Sequence, residues 1–352
     1  MQTLAHVGAT NTFAYCVRRL LIYTTGPFAL ARTEKGRQLP HAIAHRGYKA
    51  KFPENTMGAF KGAVQVGAHA IETDVHITKD NTVVLSHDAT LKRCFGRPDK
   101  IIDCDWKDIN HLKTIAEPHQ TMPRLKDLLE YLAEPGLEGT WLLLDIKVRT
   151  AVPRTVRPLS DIMSKLDNDS ETIMRLIAET INDVQAPSSS PPWSQRVVLG
   201  CWAAGHLPLA QRYLPDFPIT HIGFSTSYAR QFLHVPNISF NMFLPILQAP
   251  GGRKFIRDVK TEGRPIFAWT VNVETKMEWC IRRKLDGVLT DDPKLFREVC
   301  KRYDESTPEP RLPIRHIFDA IRVWLFALIF GSLYRHRFHK YVPHSSPLVG
   351  RK

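Results

Sequence analysis

Residues 70–75 read Ala-Ile-Glu-Thr-Asp-Val, a short strand-like run whose acidic side chains stand near its end. Apolar runs of similar length recur along the chain and alternate with helix-like stretches. Leaving aside a short extra strand at 83–86, there are eight of them, at 42–44, 70–75, 140–146, 197–202, 219–224, 238–240, 265–271 and 287–289. Near-continuous apolar strands that alternate with helices predict a parallel sheet buried on both faces. Eight such units over about 270 residues predict an α/β fold, a closed (β/α)8 TIM barrel over residues 41–305.

Acidic residues at the strand ends predict a metal site. Glu72 and Asp74 lie two residues apart on one strand, so their side chains point to the same face. Asp145 stands near the end of the next long strand and can approach them, because the carboxyl ends of parallel barrel strands open on one face. Carboxylate oxygens are the ligands of hard cations, so the pattern predicts Mg²⁺ or Ca²⁺ rather than structural zinc.

Histidines and basic residues near the same strand ends extend this site. His45 ends the first strand, and His87 follows the short extra strand. Imidazole titrates near neutral pH, so the two histidines can divide the roles of acid and base. Arg46 and Lys147 add the positive charge that a phosphate group requires, and Trp269 is expected in the pocket wall. Each residue taken singly has an ordinary structural explanation, but their clustering at successive strand ends predicts an active site.

Four motifs carry a resemblance to a known family. They are His45-Arg46-Gly47, Pro53-Glu54-Asn55-Thr56, Glu72-Thr73-Asp74-Val75 and His87-Asp88, in this order and spacing. Together with the late segments 267–272 and 286–293, they resemble the glycerophosphodiester phosphodiesterase family from about residue 42 to residue 302. The resemblance implies a TIM barrel that holds a divalent metal on acidic side chains.

The same resemblance implies a role for each matching residue. These roles are metal ligand for Glu72, Asp74 and Asp145, acid or base for His45 and His87, and phosphate contact for Arg46 and Lys147. Many members of the family have Glu as the third metal ligand, where this chain has Asp145. The shorter side chain is expected to shift the metal or to leave this contact bridged by water.

Within the family, the amino-acid sequence of residues 42–95 and the apolar stretch after the barrel are most similar to the fungal phosphatidylglycerol phospholipase C group. This similarity implies metal-dependent cleavage of phosphatidylglycerol to diacylglycerol and glycerol 3-phosphate. Glycerophosphodiesters or lysophospholipids are the alternative substrates for the same chemistry. A barrel that binds anionic lipid without catalysis is the alternative from another class, and the complete set of histidines and carboxylates argues against it.

The basic residues concentrate at the two ends of the chain. The formal net charge is +13, of which residues 1–40 carry +4 and residues 311–352 carry +7. Basic ends around a nearly neutral body favour an anionic membrane surface over nucleic acid as the partner. A Pro-containing linker at 306–313 is followed by an apolar and basic segment at 314–340, expected to attach to a membrane as a helix or hairpin, and by a tail at 341–352. For the acid-poor segment 1–40 a transit segment, a membrane-surface helix and a helix that closes the barrel are all open.

The six cysteines are scattered and show no CxxC pair or metal-type spacing. A chain with a large core has little need of disulfides, so a reduced intracellular setting is expected. With the basic apolar segment, this predicts attachment to an intracellular membrane, such as that of the mitochondrion, the endoplasmic reticulum or a lipid droplet. The oligomeric state stays open.

Overall fold

The computed structural model describes residues 26–146 and 168–306, without 234, 236 and 237, together with Arg322 and Leu325. In this part of the chain the strands are β1 (Arg32–Glu34), β2 (Arg37–Leu39), β3 (His41–His45), β4 (Ala70–Ile77), β5 (Val83–Leu85), β6 (Trp141–Ile146), β7 (Val197–Cys201), β8 (Ile219–Gly223), β9 (Ile238–Phe243), β10 (Ile266–Trp269) and β11 (Gly287–Thr290).

The α-helices of the same residues are α1 (Met57–Gln65), α2 (Lys92–Phe95), α3 (Trp106–Ile109), α4 (Leu125–Leu132), α5 (Ser170–Asp183), α6 (Leu207–Tyr213), α7 (Thr226–Ala229), α8 (Leu244–Gln248), α9 (Gly252–Thr261), α10 (Glu274–Arg282) and α11 (Pro293–Arg302). Short 3₁₀ turns cover Pro27–Ala29, Ile101–Asp103, Trp193–Gln195, Ala204–His206 and Arg230–Phe232.

Eight parallel strands close into the predicted TIM barrel. Their order around the barrel is β3-β11-β10-β9-β8-β7-β6-β4, and pairing of β3 with β4 closes the ring. The short strand β5, which the sequence predicted as an extra strand at 83–86, pairs antiparallel with β4 outside this ring. All the polar strand ends named in the sequence analysis therefore open on one face of the barrel.

The barrel forms because its strands are apolar on both faces. Every residue of β4 and of β6 is buried, since one face of each strand fills the barrel interior and the other packs against helices. Helix α4 is amphipathic and buries Leu125, Leu128, Leu129 and Leu132 against the sheet. Full burial of one such leucine contributes about 1.5–3 kcal/mol, so replacement by Ala weakens this layer by about 2–5 kcal/mol.

Both ends of the described barrel region lie at its amino-terminal end, opposite the strand ends that carry the polar residues. The Ala31 N–H donates to Asp286 Oδ1 at 2.9 Å, and Asp286 stands immediately before β11. At the other end of the domain, the Arg37 guanidinium donates to the Tyr303 carbonyl at 2.6 Å, just after α11. Segments that continue beyond Gly26 and Ser306 therefore leave from this amino-terminal end.

Most of the predictions for the two ends of the chain concern residues outside the described part of the structure. Residues 1–25 lie outside them, and so do the linker after Ser306 and the predicted membrane segment 314–340, apart from Arg322 and Leu325. Across 26–146, 168–306 and these two residues, no helix has both the length and the apolar character needed to span a bilayer. The structure thus supports the TIM barrel and gives no support to the expected C-terminal membrane helix.

Candidate active site

Three carboxylates meet where β4 lies beside the carboxyl ends of its neighbours β3 and β6. Glu72 and Asp74 project from β4, and Asp145 stands opposite Asp74 in the register of β4 with β6. Each is at most 6% exposed, and one oxygen from each lies within 4.8 Å of the others. Carboxylates this close repel one another, and a divalent cation between them removes the repulsion, so this donor set fits Mg²⁺ or Ca²⁺. We call these residues the acidic triad.

Residues after β3 orient the two triad carboxylates of β4. The Arg46 backbone N–H donates to Glu72 Oε2 at 2.9 Å, and the Asn55 side-chain amide donates to Asp74 Oδ2 at 3.0 Å. The Arg46 Nε also lies 3.3 Å from Asp74 Oδ2. Arg46 and Asn55 adopt φ values of 59° and 53°, in the left-handed region, which turns the chain back towards the triad. These donors hold the carboxylates in place, as the partners of metal ligands commonly do.

The third carboxylate is held from the neighbouring strand β7. Trp202, directly after β7, donates its indole N–H to Asp145 Oδ1 at 2.7 Å. This bond holds the Asp145 side chain, which is one methylene shorter than the Glu that the family resemblance led us to expect. Asp145 therefore reaches the same cluster as Glu72 and Asp74 despite the missing methylene.

His45, the last residue of β3, is paired with a carboxylate that directly follows the last barrel strand, β11. Its Nδ1 lies 2.7 Å from Asp291 Oδ1, and Asp291 also accepts a hydrogen bond from the Asn272 side chain at 2.9 Å. Burial lowers the pKa of His45, and the hydrogen bond with Asp291 only partly offsets this effect. A neutral imidazole oriented by a carboxylate is a suitable proton acceptor.

His87 is paired with the residue that follows it. The Ser86 N–H donates to the Asp74 carbonyl at 3.0 Å, which brings this loop next to the triad residue Asp74 on β4. His87 Nδ1 lies 2.8 Å from Asp88 Oδ1, and Arg93 Nε donates to Asp88 Oδ2 at 2.6 Å. The hydrogen bond with His87 lowers the pKa of Asp88, and the Arg93 guanidinium lowers it further against the effect of burial. Each candidate catalytic histidine thus has its own carboxylate partner.

Glu54 connects the two histidine pairs. Its Oε1 accepts from Arg46 at 2.8 Å and from Arg93 at 2.7 Å. Lys49 Nζ lies 3.6 Å from Glu54 Oε2 and 3.7 Å from Asp291 Oδ2. Burial alone would raise the pKa of Glu54, but the hydrogen bond and charge of Arg93, with those of Arg46, lower it to about 2. A continuous set of charged contacts therefore runs from His45 to His87 around the triad.

The structure brings together most of the predicted site residues. Arg46 lies beside the triad, and Trp269 is partly exposed at the end of β10, where its indole N–H donates to the Asn241 carbonyl at 3.0 Å. Lys147 lies outside the described residues, so its phosphate contact stays a prediction. The sequence analysis assigned no role to Asp291, Glu54, Asp88, Arg93 or Trp202, although the first three stand in the quoted motifs.

Comparison with known proteins agrees with this site. Residues 45–295 match the model of the glycerophosphoryl diester phosphodiesterase family. The chain is 27% identical over 267 residues to the probable glycerophosphodiester phosphodiesterase 2 of Mycobacterium tuberculosis, covering 73% of this chain and 89% of that protein. It is 28% identical over 292 residues to the lysophospholipase D GDPD1 of Rattus norvegicus, covering 77% and 90% of the two chains.

Solved structures share the fold. A putative glycerophosphoryl diester phosphodiesterase from Silicibacter pomeroyi superposes with a TM-score of 0.63 at 17% identity, covering 79% of this chain and 97% of the other. An Oleispira antarctica phosphodiesterase in complex with the product sn-glycerol-3-phosphate gives a TM-score of 0.59 at 20% identity, covering 75% and 97%. From the family match over most of its barrel and from its acidic triad, the chain belongs to the glycerophosphoryl diester phosphodiesterase family and is a metal-dependent phosphoric diester hydrolase.

Proposed function

We propose that this chain hydrolyses the phosphodiester bond of a glycerophosphodiester or a lysophospholipid. The observation that carries the proposal is the acidic triad, whose three buried carboxylates lie within 4.8 Å of one another beside two histidines, each with a carboxylate partner. The names of the relatives support the same two substrate classes, since they include glycerophosphodiester phosphodiesterases and lysophospholipases D.

In this proposal the residues divide the work of the reaction. Glu72, Asp74 and Asp145 would hold the divalent cation, which when bound supplies a Lewis acid for a phosphoryl oxygen. Arg46 adds positive charge where negative charge develops on the phosphoryl group. One of His45 and His87 takes a proton from the attacking water, whose oxygen bonds to phosphorus as the ester bond breaks, and the other gives a proton to the departing oxygen. Asp291 and Asp88 hold the two rings in place for these transfers.

Phosphatidylglycerol, cleaved to diacylglycerol and glycerol 3-phosphate, is the second candidate substrate. The basic apolar segment 314–340 favours it, since such a segment suits a protein that meets anionic lipid on an intracellular membrane. The position of the two ends of the described barrel region, near Ala31 and Tyr303, counts against it. A domain of about 270 residues is about 48 Å across, whereas the eight-residue linker 306–313 reaches about 28 Å when fully extended. A membrane segment tethered at the amino-terminal end would therefore hold the site away from the same membrane.

A panel of three substrates tests the proposal. Glycerophosphoglycerol, lysophosphatidylglycerol and phosphatidylglycerol are each incubated with the full chain, with Mg²⁺ or Ca²⁺ and with EDTA, and the phosphate-bearing and lipid products are identified. We expect hydrolysis of one of the first two, lost with EDTA and lost in His45→Ala. Release of diacylglycerol as the dominant product would favour the second candidate. Hydrolysis that is unaffected both by EDTA and by His45→Ala would contradict the proposed site.

A further inference from the structure

Four aromatic side chains follow one another around the mouth of the barrel. Trp202 and Phe224 come directly after β7 and β8, and Phe243 and Trp269 are the last residues of β9 and β10. All four are partly exposed. The acidic triad, His45, Arg46 and Asp291 stand instead on or directly after β3, β4, β6 and β11, and His87 and Asp88 follow β5, which pairs with β4. The mouth is thus divided into a charged half and an aromatic half, the latter formed by these four residues.

The aromatic half is continuous with the metal site. The ring centroids of Trp202 and Trp269 are 5.8 Å apart at 72°, and those of Phe243 and Trp269 are 5.0 Å apart at 42°. Both indole N–H groups are already donated, to Asp145 Oδ1 and to the Asn241 carbonyl. These rings therefore offer apolar surface to a ligand. This surface begins at Trp202, which is hydrogen-bonded to Asp145 of the acidic triad.

A buried polar atom beneath these rings lacks a partner. Asn241 lies two residues before Phe243 on the same face of β9, level with Ile222 and Phe267 on the adjacent strands. Its side chain is 2% exposed, and its Oδ1 accepts no hydrogen bond from the protein. A buried acceptor without a donor is costly, so this atom is suited to a hydroxyl of a bound ligand.

We propose that the aromatic half binds the acyl chain of a monoacyl glycerophosphodiester, with the free glycerol hydroxyl donating to Asn241 Oδ1. This inference rests on the proposed function and narrows its two substrate classes to the lysophospholipid. A ligand that fills both halves needs a phosphate next to an apolar chain. A deacylated glycerophosphodiester would leave the partly exposed rings in water and gain nothing from them.

Chain length and a single truncation test this assignment. The full chain is assayed with Mg²⁺ on lysophosphatidylglycerols of increasing acyl length below their micellar concentrations, and on glycerophosphoglycerol. We expect kcat/KM to rise with length by up to about fourfold per methylene that becomes buried. Phe243→Ala is expected to reduce the preference for the acyl substrate over the deacylated one by at least 10-fold. Phe217 is a partly exposed phenylalanine before β8, at the opposite end of the barrel. Phe217→Ala is the control, and we expect it to keep the preference for the acyl substrate.

The outcomes separate the two proposals. A flat dependence on acyl length, or an unchanged preference in Phe243→Ala, overturns the acyl-chain assignment while the hydrolysis itself leaves the proposed function standing. The assignment is also overturned if Phe217→Ala loses as much of the preference for the acyl substrate as Phe243→Ala does. Both substitutions would then act through the stability of the barrel. Absence of hydrolysis of every glycerophosphodiester in the series overturns the proposed function and this inference together.

Discussion

Replacing Asp145 by Asn isolates the electrostatics of the acidic triad. The substitution keeps an oxygen that can accept the Trp202 indole N–H, so the packing at the end of β6 is preserved. Two unit charges 4.8 Å apart interact by about 3.5 kcal/mol at an effective dielectric constant of about 20. Asp145 faces two such partners, and the nearby Arg46 guanidinium offsets part of the repulsion. We therefore expect the metal-free variant to be more stable than the natural chain by about 1–3 kcal/mol.

Thermal unfolding with and without metal measures this effect. In EDTA, Asp145→Asn should melt about 2–6 °C higher than the natural chain, at about 2 °C per kcal/mol for a domain of this size. Mg²⁺ or Ca²⁺ at about 100 times its Kd should stabilise the natural chain by about 2.7 kcal/mol, or about 5 °C, and the variant much less. Asp99→Asn, which removes a carboxylate paired with Arg97 at the surface, is the control and keeps the full metal response. A variant that melts lower in EDTA and keeps the full metal response would refute the reasoning.

Three further outcomes follow from the geometry of the site and of the core. Replacing His45 or His87 by Ala should abolish turnover but keep the metal-induced rise in melting temperature; a near-normal rate would remove that residue from the mechanism. Glu54→Gln should lower kcat about 10–100-fold in steady-state assays, because Glu54 orients two arginines; an effect no larger than that of the surface substitution Glu171→Gln would contradict this role. Burial lowers the pKa of His221 from 6.5 to about 3. As the pH falls, His221 therefore becomes protonated in the unfolded chain at a higher pH than in the folded chain. Below about pH 6.5 the free energy of unfolding should consequently fall by up to about 1.4 kcal/mol per pH unit. Denaturant titrations at pH 7, 6 and 5 measure the free energy of unfolding. If it falls with pH as steeply in His221→Leu as in the natural chain, His221 is not the cause.

The fold and the acidic triad could be predicted because their signals are local. Short apolar runs spaced by helical stretches predict the barrel, and the eight parallel strands confirm it. Parallel strands present their carboxyl ends on one face, so Glu72, Asp74 and Asp145 were expected to meet, and they do. Strand limits were less accurate, since β9 continues to Phe243 beyond the predicted end at residue 240.

The partners of these residues could not be predicted, because they come from distant parts of the chain. His45 and Asp291 are 246 positions apart, and Asp145 and Trp202 are 57 apart. No periodicity relates such positions. The sequence predicts Glu54 only as part of a motif at the start of a helix. In the structure its carboxylate accepts hydrogen bonds from two arginines, Arg46 and Arg93.

By itself the sequence determined the barrel, the residue types at its mouth and the hard-oxygen character of the metal site. Hydrophobic period and residue chemistry are properties of each segment, and they do not depend on how the segments are arranged. Only the tertiary structure decided which carboxylate holds which histidine, that the mouth has a charged and an aromatic half, and that the ends of the described barrel region lie opposite this mouth. These features depend on the order and register of the strands, which bring side chains from remote segments within hydrogen-bond distance.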